Sequence, residues 1–151
     1  MATYAPSTMF KMGAVIPIMS HRKVVPADMW HMAQIAAVKL QDCGPCVQIA
    51  VNLALADHVP ANQVQAALDG GEGLTGDCKL GFDYGVAVAQ NRPDMLDLMD
   101  HVEQKFGKAG LIDMALTVAF AAVYPALKRG IGHGLSCSEV QVVPTGTKVA
   151  A

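Results

Sequence analysis

Aromatic side chains are scarce in this sequence: they make up 5% of 151 residues, with a single Trp. Strands lean on aromatic and β-branched residues, so the scarcity argues against a sheet-rich sandwich. The recurrence of Ala and the 9 Met favour close-packed helices instead, and the expected fold class is all-α. Charge is thin as well. Only 16% of residues are charged, and 11 basic against 13 acidic residues give a net charge of -2 without a basic block. A nucleic-acid partner, which requires a phosphate-neutralising face, is therefore not expected.

A clean apolar run of ~20 residues is also missing. The most apolar stretch, Leu111 to Leu127, carries Asp113, Thr117 and Pro125, and reads as a buried central helix with no membrane partner. Met1 to Ser20 lacks a basic region followed by an apolar core, because Pro6, Lys11 and Pro17 interrupt it, so no secretory signal is expected and the setting is expected to be cytoplasmic. Hydrophobic residues are plentiful at 52%. A chain of this length supports one core, and apolar surface left over points to a homo-oligomer.

Pro6, Gly13 and Pro17 break any period in residues 1–25, which read as an irregular N-terminal arm; residues 26–143 read as a helical domain and 144–151 as a tail. The first helix is predicted from Pro26–Asp28, with Asp28 as its cap, to about Gln41, on an apolar face of Met29, Met32, Ile35, Ala36 and Leu40. A second starts at Asp42-Cys43-Gly44-Pro45 and runs to about Asp57, with Ile49, Leu53 and Ala56 on one stripe. A third opens at Pro60 and closes at Gly70-Gly71, and a fourth covers Asp77 to Asn91, where Gly81 and Gly85 mark close helix approach. Pro93 starts a fifth, with Met95, Leu96, Met99, Val102 and Phe106 inward and Gly107 as its stop. The sixth runs from Ala109 to about Arg129, kinked or ended by Pro125, before an extended tail in which Val140, Val142 and Val143 suggest a short strand.

Chemistry concentrates in Cys43 and Cys46. Residues three apart share a helix face, so the sulfurs come within reach of a disulfide. At a helix N-terminus the free N–H groups and macrodipole favour a thiolate, while a carboxylate such as Asp42 opposes it unless it points to solvent. Two other readings remain open: inert buried thiols, and a zinc site completed by Cys78 and Cys137, which are isolated Cys and not a second close pair. No metal or organic cofactor is expected. A thioredoxin-type setting requires a buried strand before the motif, whereas Met29 to Gln41 has the helical period. Cys78 and Cys137 read as small buried apolar residues, and Met29, Met32, Met95 and Met99 as helix core. Asp113 needs a partner if buried, with neither Lys128 nor Arg129 assignable to it, and Tyr124 is expected to pack with its hydroxyl satisfied.

A helix, a Cys-x-x-Cys at the head of the next helix, and an Ala-rich run ending Asp57-His58-Val59-Pro60 resemble the AhpD-like branch of the carboxymuconolactone decarboxylase superfamily. The segment Val123-Tyr124-Pro125-Ala126-Leu127-Lys128 followed by Gly132-His133-Gly134-Leu135-Ser136-Cys137 resembles the C-terminal part of uncharacterised members. The resemblance implies a bundle of about six helices, a trimer or hexamer, and thiol peroxidase or disulfide oxidoreductase activity fed by a dithiol reductant of lipoyl or thioredoxin type. By the same resemblance Cys46 is the nucleophile and Cys43 the resolving thiol. The family's relay has a His four residues after the second Cys and a Glu twelve before the first; here those positions are Ala50 and His31. Ala50 cannot take a proton. His31 is therefore the candidate base or charge partner, with Gln48 and Asn52 as orienting amides and His58 or His133 entering from loops. The alternative from another class is a non-redox, decarboxylase-like or ligand-binding oligomer, which a pocket lined by His and Arg would favour.

Overall fold

A computed structural model describes residues 6–133 and 140–143, and its element order is helical throughout: α1 Pro6–Gly13, α2 Ile16–Met19, α3 Ala27–Lys39, α4 Gly44–Ala56, α5 Ala61–Leu68, α6 Gly76–Ala89, α7 Met95–Ala121 and α8 Val123–Gly130. The all-α expectation holds among the described residues; Val140, Val142 and Val143 form no strand. Of the expected irregular arm, residues 6–25 are described, and they carry two helices. Pro6 opens α1 and Pro17 sits in the first turn of α2, where a missing N–H costs nothing and the fixed φ suits the helix, so these prolines start elements that they appeared to break.

The central helix is α3, not the apolar stretch near the C-terminus. It packs against α4, α5, α6 and α7, and Met29, Met32 and Ile35 are fully buried, each worth roughly 1.5–3 kcal/mol of burial. Leu40, at its end, is instead exposed. The cap is Pro26; Asp28 is the second residue of the helix, its carboxylate accepting the Met29 N–H at 2.8 Å. Gly81 and Gly85 lie four apart on α6 and let it approach α3 backbone to backbone, as their spacing predicts: a Cβ on Gly81 would stand 2.2 Å from the Met29 carbonyl oxygen.

Gly107 takes φ 68° and ψ -178°, so the expected stop is a kink across which α7 resumes. Leu96, predicted to face inward, is exposed, while Val102 is fully buried. A second interruption, at Ala122, separates α7 from α8, with Pro125 in the first turn of α8, one helical turn after Ala121, whose carbonyl its ring displaces. By length and composition the run Met95–Gly130 is apolar enough to cross a membrane. It is nevertheless built around a buried carboxylate: Asp113, fully buried, accepts the backbone N–H groups of Lys23, Val24 and Val25 through Oδ2 at 2.9, 2.7 and 3.3 Å, with His21 Nε2 3.5 Å from Oδ1. This is the partner that Asp113 required, and it pins the segment before α3 onto α7. Asp113→Asn keeps an acceptor but loses the charge that strengthens all three bonds, so urea unfolding is expected to show a loss of about 2 kcal/mol. An unchanged midpoint would mean that the strap is not held this way.

Candidate active site at the head of the fourth helix

The turn between α3 and α4 is short because Asp42 adopts φ 50°, a left-handed conformation that Asp tolerates. Cys43 then caps α4, and the N–H groups of Cys46 and Val47 both donate to its carbonyl oxygen, at 2.9 and 3.0 Å. Pro45 fits this first turn for the same reason as the other helix-opening prolines. The two cysteines are joined, with Cα atoms 5.3 Å apart. Cys43 is half-buried, Cys46 is 9% exposed, and Asp42 faces water.

Cys46 forms part of the wall of an apolar cavity of about 380 Å³. Trp30, Gln34 and Val38 reach it from α3, Ile49 and Leu53 from α4, and Tyr124 from α8. Ile49, Leu53 and Ala56, which share a stripe, are thus exposed, and the face of α4 packed inside carries Cys46, Val47, Ala50, Val51, Ala54 and Leu55. Ala50 also lines the cavity, so a methyl group stands where the resembled relay has its imidazole. No His or Arg lines this space among the described residues. A second cavity, of about 330 Å³, contains Lys39 and Arg92, but their charges are engaged by the Leu68 carbonyl and the Asp94 carboxylate.

His31 is not brought to the sulfurs. Trp30, Gln34 and Val38 reach the cavity beside Cys46 from α3, and His31 is not among the residues that line it. Its Nε2 instead meets Asp57 Oδ2 at 3.0 Å, eleven residues after Cys46 and about 16 Å along α4. Burial holds the imidazole below its ordinary value despite the nearby carboxylate, and the hydrogen bond from His31 holds the Asp57 carboxyl below the usual carboxylate range. Neutral His31 donates from Nε2, which leaves Nδ1 buried without a partner among the described residues. Protonation is thus opposed in the folded state and free in the unfolded one, and stability is expected to fall as pH drops through about 6.5, with Asp57 adding to the loss below about 3.9. Urea midpoints between pH 7 and 5 test this; His31→Leu flattens the slope if His31 causes it, and a midpoint that rises on acidification contradicts the assignment.

The other candidates are elsewhere engaged. The Gln48 amide is spent on the backbone of Gln141, accepting its N–H at 2.7 Å and donating to its carbonyl at 2.8 Å, while also reaching Asn52. His58 and His133 are exposed, and the His133 N–H caps the Lys128 carbonyl. Cys78 is buried and its Sγ lies 3.4 Å from Asp28 Oδ2; burial, with that carboxylate beside it, pushes the thiol up to about 12. Among the described residues no three His, Cys, Asp or Glu gather as metal ligands, and Cys137 lies outside those residues. Tyr124 lines the cavity, and its hydroxyl has no hydrogen bond among the described residues.

One residue near the pair was not read from the sequence. Lys128, on α8, places Nζ 3.8 Å from Cys43 Sγ, while Arg129 beside it binds the Gln41 carbonyl at 2.6 Å and the Gln41 Oε1 at 3.3 Å. The only advance signal was a pair of cations in the last turn of an apolar helix. Fold and site together define a protein that is all-helical among the described residues, with a bonded Cys-x-x-Cys at a helix head. Compared with protein-family models, curated proteins and solved structures, the chain matches none.

Proposed function

We propose that the protein is a thiol–disulfide oxidoreductase of AhpD-like type, cycling Cys43 and Cys46 between dithiol and disulfide. The observation that carries this reading is the position of the bonded pair: Cys43 is half-buried at a helix N-terminus, and Cys46 forms part of the wall of a cavity able to seat an apolar group. Disulfide exchange needs a thiolate and a reachable partner and no separate base. Peroxide reduction through the same sulfurs is the narrower part of the proposal, since Ala50 supplies no proton acceptor beside Cys46. The reductant is a dithiol, of lipoyl or thioredoxin type by resemblance. A homo-oligomer, trimer or hexamer by the same resemblance, is supported by exposed Phe10, Leu96 and Ile112, and a cytoplasmic setting belongs to the same reading. The decarboxylase-like alternative gains nothing from a cavity without His or Arg.

The test supplies the purified protein with excess dithiol and follows reduction of a low-molecular-weight disulfide and, separately, of a hydroperoxide. Catalysed disulfide reduction supports the reading, and turnover of both substrates supports its peroxidase part. A disulfide rate equal to that of dithiol alone contradicts it.

A further inference from the structure

We propose that Lys128 makes Cys43 the entry thiolate of the pair and leaves Cys46 as the resolving thiol; this rests on the disulfide-exchange reading above. The order is the reverse of the one the family resemblance implies. Lys128 Nζ lies 3.8 Å from Cys43 Sγ, within the range at which a cation favours an anionic neighbour. The contact is anchored, because Arg129 clamps the same turn of α8 to Gln41, two residues before Cys43. Cys46 has the opposite surroundings: it is buried against the apolar cavity wall, with no cation among the residues lining it, and desolvation favours the neutral thiol. Cation and burial therefore push the charge the same way, onto Cys43. Charged groups placed near Cys43 include Lys128 and Arg129 from α8 and Asp42 from its own turn; Asp42 opposes the thiolate but is exposed, where water and salt screen it.

The substrate class follows as a disulfide, R–S–S–R′. The Cys43 thiolate attacks one sulfur, a Cys43–S bond forms, the S–S bond breaks and R′S⁻ leaves. The Cys46 thiol passes its proton through solvent to that thiolate and attacks the Cys43 sulfur, closing the Cys43–Cys46 disulfide and expelling RS⁻. Two electrons pass from the protein to the substrate, and a dithiol reductant returns them. Lys128 touches neither substrate nor leaving group in this sequence, so it is a positioning residue acting through Cys43.

The experiment uses the reduced full chain, limiting iodoacetamide, and a pH series bracketing the ordinary thiol value of about 8.5, with Cys43 and Cys46 quantified separately by peptide mass spectrometry. Cys43 is expected to react first at neutral pH. Lys128→Gln is expected to slow Cys43 about tenfold there and move its midpoint up by about one pH unit, with Lys128→Arg restoring both and the Cys46 profile unmoved. Faster alkylation of Cys46 in the unaltered protein overturns the proposal, as does a Cys43 midpoint that Lys128→Gln leaves in place. Should Lys128→Gln fail to fold, the order in the unaltered protein and the Lys128→Arg midpoint decide. Because alkylation requires no turnover, its result separates from the catalytic assay: exchange with Cys46 reacting first overturns only the order, and no exchange with Cys43 reacting first overturns only the function.

Discussion

Replacing Gly81 with Ala lowers stability by about 2–3 kcal/mol, and replacing it with Val by more than about 4 kcal/mol, in urea unfolding. The sign is not obvious from the helix alone, since Ala in place of Gly in a helix interior gains up to about 1 kcal/mol. Packing outweighs that gain. The added Cβ would stand 2.2 Å from the Met29 carbonyl oxygen and 3.0 Å from the Met29 carbonyl carbon. A backbone atom in the first turn of α3 cannot swing aside as a side chain can, so the helices must separate along their contact. Gly85→Ala meets the Ala33 oxygen at 2.5 Å and repeats the effect one turn on. Because α3 holds four other helices around it, the double substitution is expected to abolish the native fold. An unfolding midpoint for Gly81→Ala equal to or above that of the unaltered protein would show that the α3–α6 contact is looser than described.

Cys43→Ser and Cys46→Ser each lower catalysed disulfide reduction by about 100-fold or more, because a hydroxyl can neither close the pair nor release a bound thiol. The two losses differ in kind. With Cys43 as the entry sulfur, Cys46→Ser leaves a thiol that still attacks a disulfide and then stalls, so a mixed disulfide on Cys43 accumulates and is visible by mass spectrometry. Cys43→Ser leaves only the buried sulfur, which reacts slowly and accumulates little adduct. Neither substitution is expected to move the unfolding midpoint of the reduced protein by more than about 1 kcal/mol, since each exchanges one atom. Turnover retained in both variants would place the chemistry elsewhere in the chain.

Much of this architecture is legible in the sequence because punctuation residues carry it. Pro26, Pro45 and Pro60 mark helix starts, Gly70 and Gly71 a stop, and the four-residue spacing of Gly81 and Gly85 a packing face. The same punctuation misleads at Pro6 and Pro17, where a proline that interrupts a pattern is indistinguishable from one that opens a helix. On α4 the limit is periodicity. Gly44–Ala56 is apolar nearly all round, so Ile49 and Leu53 make as good a stripe as Val47, Val51 and Ala54, and only the placement of α3 decides which one is buried. Partnerships across long separations are hidden altogether. Lys128 meets Cys43 across 85 residues and Asp113 meets Val25 across 88, distances over which a single sequence gives no pairing rule. His31 illustrates the reverse error: its sequence position suggested a role at the sulfurs, and its imidazole meets Asp57 at the far end of α4 instead.

The central claim is that Cys43 and Cys46 are a reversible dithiol–disulfide pair, and counting reactive thiols in the unfolded chain before and after reductant tests it most directly. The account predicts two additional thiols after reduction, mapped to Cys43 and Cys46, absent in either Ser variant and lost again under mild oxidant. A thiol count that reductant leaves unchanged, with both cysteines still free after mild oxidation, would contradict it.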